Sequence, residues 1–289
     1  MLNEDRFADK SPPTVYATLL DEGIYLCSIR TMYRILKERD EVRERRKQLR
    51  HPVYKKPELI ATGPNQVWSW DITKLRGPQK HCHYHLYVII DIFSRYVVGW
   101  MIANRERADL AEHLINETCK RQGVCKDKLV IHSDRGSAMT SKTVALLLTD
   151  LGVTKSLSRP QVSNDNPYSE SQFKTMKYHS TFPEKFGSIQ DARQFCQGFF
   201  DWYNNDHYHS SVALMTPKTI HYGEAQACSE GRQRVLGLAH KEHPGRFPKG
   251  APKVIPLPNA AWINRPKSTD AANAFVAATG DGTILGGVR

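Results

Sequence analysis

Three apolar runs crowd into the stretch from Val67 to Ile102, joined by links too short for a crossover connection. Strands can run parallel only through a crossover of about a dozen residues or more, so these runs predict an antiparallel meander. The first alternates, with Ser69, Asp71 and Thr73 on one face and Trp68, Trp70 and Ile72 on the other. Leu86–Ile90 and Tyr96–Ile102 are continuously apolar, the pattern of strands covered on both faces.

Beyond the meander the pattern alternates between helix and strand. Ala108, Ala111, Leu114, Ile115 and Cys119 make one helical stripe that Gly123 closes. Leu129–Ile131 predicts a short buried strand, Ser141–Leu151 a helix ended by Gly152, and Val153–Leu157 another short strand. Two more helices are expected, from Pro167 to about His179 and from Ser188 to about Asn205, the second opened by a capping box of Ser188 and Asp191. The fold class expected is α/β, a mixed five-stranded sheet with flanking helices, preceded by a small helical module.

That module occupies residues 1–56. Val15, Tyr16, Leu19 and Leu20 form a stripe ending at Gly23, and Ser28 caps a second helix with Ile29, Met32 and Leu36 inward. Two short helices with a tight turn read as a helix-turn-helix. Residues 37–56 hold nine Lys and Arg against four acids and predict a helix running into a basic linker. The core is expected over 57–225. Residues 226–289, with six prolines between Pro244 and Pro266, are expected to be a basic, extended tail.

Charge narrows the partner. The 289 residues carry 41 Lys and Arg against 30 Asp and Glu, a formal +11, with 40% hydrophobic and 25% charged residues. Such a composition excludes a disordered chain, and the surplus points to a polyanion, most simply nucleic acid. On the second helix Arg30, Arg34 and Lys37 fall at i, i+4 and i+7, a row suited to phosphate contact on duplex DNA. No apolar run reaches the ~18 residues of a membrane helix. The six cysteines are scattered and read as free thiols, so a cytoplasmic location is expected, with no membrane.

Three carboxylates stand where a sheet protein builds a site. Asp71 lies inside an aromatic and apolar strand; Asp134 follows a buried run at the carboxyl end of its strand, where open α/β sheets bind ligands; Glu170 sits in the first turn of a helix that Asn166 can cap and Pro167 can start. Gathering carboxylates is costly unless a cation offsets them. Oxygen-only ligands suit Mg²⁺ or Mn²⁺, and two such ions, ~3.5–4 Å apart, clamp the attacking and leaving oxygens of a phosphoryl displacement. His81, His83 and His85 alternate as an exposed strand face would, without a fourth ligand for zinc.

Asp134 and Glu170 are separated by 35 residues, and with Asp71 they resemble the D,D-35-E core of retroviral integrases and bacterial insertion-sequence transposases. The words around them are similar to the downstream-frame (OrfB) transposases of the insertion sequence three family. They are Trp68-Ser69-Trp70-Asp71-Ile72-Thr73, Asp91-Ile92-Phe93-Ser94-Arg95, His132-Ser133-Asp134-Arg135-Gly136-Ser137, Asp165-Asn166-Pro167-Tyr168-Ser169-Glu170-Ser171, and Tyr203-Asn204 with His209 and Thr216-Pro217. One departure is His207, which stands where many of that family have Arg.

The resemblance implies a ribonuclease-H-like fold and a catalytic, metal-holding site of Asp71, Asp134 and Glu170 with two Mg²⁺ ions. Water frees a 3′-OH at an element end, and that hydroxyl attacks a second phosphodiester, with no protein–DNA covalent intermediate. Lys174 and Lys177, at i+4 and i+7 from Glu170, are placed to hold DNA beside the metals. Asp91 is expected to stabilise a turn. Joining two ends implies at least a dimer, and the family admits an upstream-frame partner or fusion. Two other readings stand beside the transposase: a DNA-binding regulator without independent activity, and a ribonuclease-H-like nuclease.

Overall fold

The computed structural model describes residues 4–7, 10–39, 54, 56–124, 127–160, 162 and 165–266. Most of the expected basic linker lies outside them. The chain divides into two compact units, Met1–Val53 and Tyr54–Arg289.

In the first unit, α1 (Pro12–Asp21) and α2 (Ile29–Glu38) pack around a small core of Phe7, Val15, Leu19 and Met32. Gly23 takes the left-handed conformation at φ 75°, which lets the Ile24 amide reach back to the Leu19 carbonyl at 2.7 Å and end α1. Ser28 caps α2 as expected, its Oγ accepting the Thr31 amide at 3.2 Å.

The second unit opens with a short strand, β1 (Leu59–Ala61), and continues into the meander β2 (Val67–Arg76), β3 (His83–Asp91) and β4 (Val97–Ala103). Then come α3 (Ala108–Gln122), β5 (Val130–Ser133), α4 (Ser137–Thr140), α5 (Lys142–Asp150), β6 (Thr154–Leu157), α6 (Pro167–Lys177) and α7 (Ile189–Asn205). The sheet order is β4-β3-β2-β5-β6, antiparallel through β4, β3 and β2 and parallel from β2 to β5 to β6. This is the ribonuclease-H-like arrangement, a mixed five-stranded sheet with helices on both faces.

The alternation of β2 sorts the two faces. Trp68 and Trp70 enter a core with Ala111, Leu114 and Ile115 of α3 and Val144 and Leu148 of α5. Leu75 enters the opposite core, where Leu86, Val88 and Ile90 of β3 meet Phe173 and Met176 of α6 and Phe199 and Phe200 of α7. Burying each such side chain stabilises the fold by about 1.5–3 kcal/mol. α3 lies so close to β4 that a Cβ on Gly99 would come 2.2 Å from Thr118 Oγ1. At the outer edge of the sheet, Asn204 bonds both backbone groups of Val97, accepting from its amide at 2.9 Å and donating to its carbonyl at 3.1 Å.

The last stretch departs from expectation. After α8 (Pro217–His221) comes α9 (Ala225–Glu242), an 18-residue helix where the sequence predicts an extended segment. Ala, Leu, Arg, Gln and Glu supply helix propensity, but none of its residues is buried, so no apolar stripe announces it. The chain then runs irregularly to β7 (Ala261–Ile263), which pairs antiparallel with β1, Ala61 opposite Ala261. Among the described residues, no helix is long and apolar enough to cross a membrane.

Candidate active site

The parallel register brings the first two carboxylates together. β2 and β5 pair from Val67 opposite Val130 to Trp70 opposite Ser133. One residue further stand Asp71, still on β2, and Asp134, just past the end of β5. Asp71 falls on the α6 side of the sheet, because Ser69, two residues earlier on that face, meets α6. Its Oδ1 accepts the Ile72 amide at 2.7 Å. Burial first, and then the charges of Asp134 and Glu170, push the Asp71 carboxyl up to about 7. Glu170 is raised as well, by burial and by Asp134.

The third carboxylate is delivered by α6, and the join between α6 and β2 is a buried polar knot. Ser69 Oγ donates to Asn166 Oδ1 and lies 2.6 Å from Ser169 Oγ; Asn166 Nδ2 reaches the Trp70 carbonyl at 3.4 Å. All three side chains are buried. The sequence predicts that Asn166 caps the helix with its side chain. It occupies the N-cap position without a side-chain cap bond, since its carboxamide is committed to β2.

Asp134 is held differently. Ser158 Oγ donates to Asp134 Oδ1 at 2.7 Å, and His132 backs the serine from within the sheet. His132 is fully buried; its Nε2–H donates to the Asp165 carbonyl at 2.8 Å and its Nδ1 accepts from Ser156 at 2.9 Å. Burial lowers its pKa and favours this neutral ring.

The three carboxylates are thus within electrostatic reach of one another but not gathered. Among the described residues, no three His, Cys, Asp or Glu side chains converge closely enough to hold a metal ion. Their chemistry suits one: the donors are all carboxylate oxygens, the kind that Mg²⁺ and Mn²⁺ take. The three histidines make no metal site either. His81 sits in the turn before β3 at φ 68°, so only His83 and His85 share the strand.

Lys177 reaches this surface, donating to Thr73 Oγ1 on β2 at 2.8 Å, and its charge eases the ionisation of Asp71. Lys174 is exposed one turn earlier on the same helix. In the first unit Arg30, Arg34 and Lys37 lie on α2, with Arg34 bonded to Glu38 at 3.1 Å. Asp91 stabilises a turn as expected, its fully buried carboxylate accepting from the amides of Asn65 and Ser94 and from the Ser94 hydroxyl, all at 2.7 Å.

Sequence reasoning missed Ser69, Ser158 and Ser169. It also missed a clamp on Asp165, where Arg159 donates through Nε at 2.9 Å and Nη2 at 3.0 Å, and Asn264 donates at 2.9 Å. The short polar run before Asn166 was the signal available, and it reads as an ordinary loop.

Residues 61–163 match an integrase core domain family, and residues 151–217 match a second family of the same description. The transposase for insertion sequence element IS904 of Lactococcus lactis subsp. lactis (strain IL1403) is 32% identical over 169 residues, covering 56% of this chain and 66% of that protein. Transposase InsF for insertion sequence IS3A of Escherichia coli (strain K12) is 30% identical over 162 residues, 56% of this chain and 55% of that one. The matched stretch thus spans about half to two thirds of these relatives' length. Among solved structures, the HTLV-2 integrase catalytic core domain in complex with magnesium is similar at a TM-score of 0.42 and 18% identity, over 55% of this chain and 97% of that one.

Proposed function

We propose that this chain, whose residues 61–217 match integrase core domain families and are similar to insertion-sequence transposases, cuts and joins DNA at the ends of such an element. Asp71, Asp134 and Glu170 are the catalytic carboxylates and the ligands of Mg²⁺ or Mn²⁺, two ions in the working complex. When bound, these ions supply Lewis acidity to the attacking and leaving oxygens of the phosphodiester. The chain's own part is positional. Asp71 keeps its proton near neutrality until positive charge arrives, and Asp134 turns from Ser158 toward Asp71. Lys174 and Lys177 hold the DNA backbone along α6.

One observation supports the reading: the β2–β5 pairing runs to Trp70 and Ser133, the residues just before Asp71 and Asp134, while the Ser69–Asn166–Ser169 knot ties α6 to the same strand. Residues 1–56 form the module that contacts duplex DNA through Arg30, Arg34 and Lys37. The working unit on two DNA ends is at least a dimer, with or without an upstream-frame partner, on the bacterial nucleoid.

The test is to incubate the protein with a labelled duplex from the DNA flanking its gene, in Mg²⁺, Mn²⁺ or EDTA, beside Glu170→Gln. Metal-dependent 3′-end cutting with joined products, lost by at least about a thousandfold in the variant, is expected for one essential group among several. A second reading, a regulator that binds without cutting, is favoured by one feature: the carboxylates are not gathered. Tight binding with no product under any metal condition would decide for it.

A further inference from the structure

The segment beyond residue 217, where the integrase core match ends, returns to the site. β7 pairs with β1 through three residue pairs, too little to hold by itself. Its anchorage is a small core in which Ala261 and Ile263 pack with Ala61, Val67, Ile92 and Val130. From there it reaches the start of α6 twice. Tyr168 Oη donates to the Trp262 carbonyl at 2.9 Å, and Asn264 Nδ2 donates to Asp165 Oδ1 at 2.9 Å while also bonding the Pro57 carbonyl at 2.9 Å. Asn264 holds φ 58°, a left-handed conformation that Asn tolerates better than most residues.

Each contact lands within five residues of Glu170. The Asp165 carboxylate is fully buried and already forked by Arg159, and the Arg95 guanidinium lies 4.4 Å over the Tyr168 ring. With the Asn166 side chain committed to β2, the first turn of α6 is fixed from two sides: by β2, and by a strand that follows it by more than 80 residues.

We propose that the β1–β7 pair is a clasp on the first turn of α6, and that Asn264 and Tyr168 are positioning residues that set where Glu170 points. The effect on chemistry rests on the transposase reading; the effect on α6 does not. A chain cut or unzipped between α9 and β7 would keep its sheet and both main cores yet lose the aim of its third carboxylate.

The experiment uses the full chain with Asn264→Ala, Asn264→Gly, Tyr168→Phe and the Asn264→Ala/Tyr168→Phe double variant. Phe keeps the ring under Arg95 and removes only the hydroxyl, and Gly keeps the left-handed backbone while removing the carboxamide. Backbone amide exchange over residues 165–172 is read beside that of β3, with cutting rate, duplex affinity and half-saturating Mn²⁺ measured in parallel. Expected in Asn264→Ala and Asn264→Gly alike is about tenfold faster exchange over 165–172 with β3 unchanged, about the loss of one charge-assisted hydrogen bond. Tyr168→Phe gives a smaller rise and the double variant the largest. Cutting falls about tenfold, the Mn²⁺ requirement rises, and duplex affinity holds.

Unchanged exchange over 165–172 in the double variant overturns the clasp. So does exchange that rises equally in β3, which would make the contacts plain fold stability. If exchange rises locally but no form of the protein cuts DNA, the clasp stands and the transposase reading fails.

Discussion

The two sides of the carboxylate cluster are built on different principles. Between β2 and α6, which carry Asp71 and Glu170, lies a buried knot of Ser69, Asn166 and Ser169, and the start of α6 has further ties through Asp165 to Arg159 and Asn264 and through Tyr168 to Trp262. Asp134 sits just past the end of β5, its carboxylate held by Ser158. A buried polar network loses several partners at once when one member goes, whereas the half-buried Asp134 carboxylate can turn to water when Ser158, its partner among the described residues, is removed. The difference separates a carboxylate carried on a helix tied into the buried interior from one that stands half-buried beyond a strand end.

Substitutions on the two sides can break that comparison. The largest effect is expected from Asn166→Ala, which strands buried Ser69 and Ser169. Unfolding titration should show a loss of about 1–3 kcal/mol for orphaned buried groups, and cutting should fall by about a hundredfold or more as α6 loses its seat. Ser158→Ala is its counterpart and frees Asp134, so the expected change in cutting is within about tenfold. Equal losses in the two variants would erase the asymmetry.

Next in size is a stability effect of opposite sign to the catalytic one. The Asp71 carboxyl stands at about 7 in the fold against an ordinary 3.8. A raised acid contributes stability below about pH 4 that is lost as pH rises through 7, so at pH 8 ionised Asp71 works against the metal-free fold. Asp71→Asn should therefore raise Tm at pH 8 and lose that advantage toward pH 4, while abolishing cutting. A Tm advantage independent of pH would mean that burial and the neighbouring acids do not raise the Asp71 carboxyl.

The smallest effect concerns the other unit. Replacing Arg30 and Arg34 with Ala should weaken duplex binding and flatten its salt dependence. Arg34 already pairs with Glu38 on the open surface, a contact worth little for stability, so the fold should not notice its loss. Unchanged affinity at every salt concentration would remove α2 from the DNA-contacting surface.

Much of the fold was legible because it rests on local periodicity. The aromatic alternation of β2, the apolar runs of β3 and β4 and the glycine after α3 can be read within a few residues of themselves. The three acids stand out in the sequence for another reason: their spacing and the words around them resemble a known pattern. The hidden part joins residues far apart in the chain. Ser69 and Asn166 are 97 positions apart, and nothing near Asn166 says that its carboxamide serves β2 rather than its own helix. α9 buries none of its residues and so carries no stripe, and β7 is three residues long behind a run of prolines.

The carboxamide that Asn204 of α7 lays against Val97 of β4 has a consequence beyond this chain's own packing. Any strand that adds to a sheet does so by reading the row of amides and carbonyls along its rim. At Val97 both letters of that row are already taken, so a neighbouring copy arriving at this rim finds it closed there. Two copies of the chain meeting at this rim then cannot extend the ladder through Val97 and must meet there through side chains instead of zipping sheet to sheet.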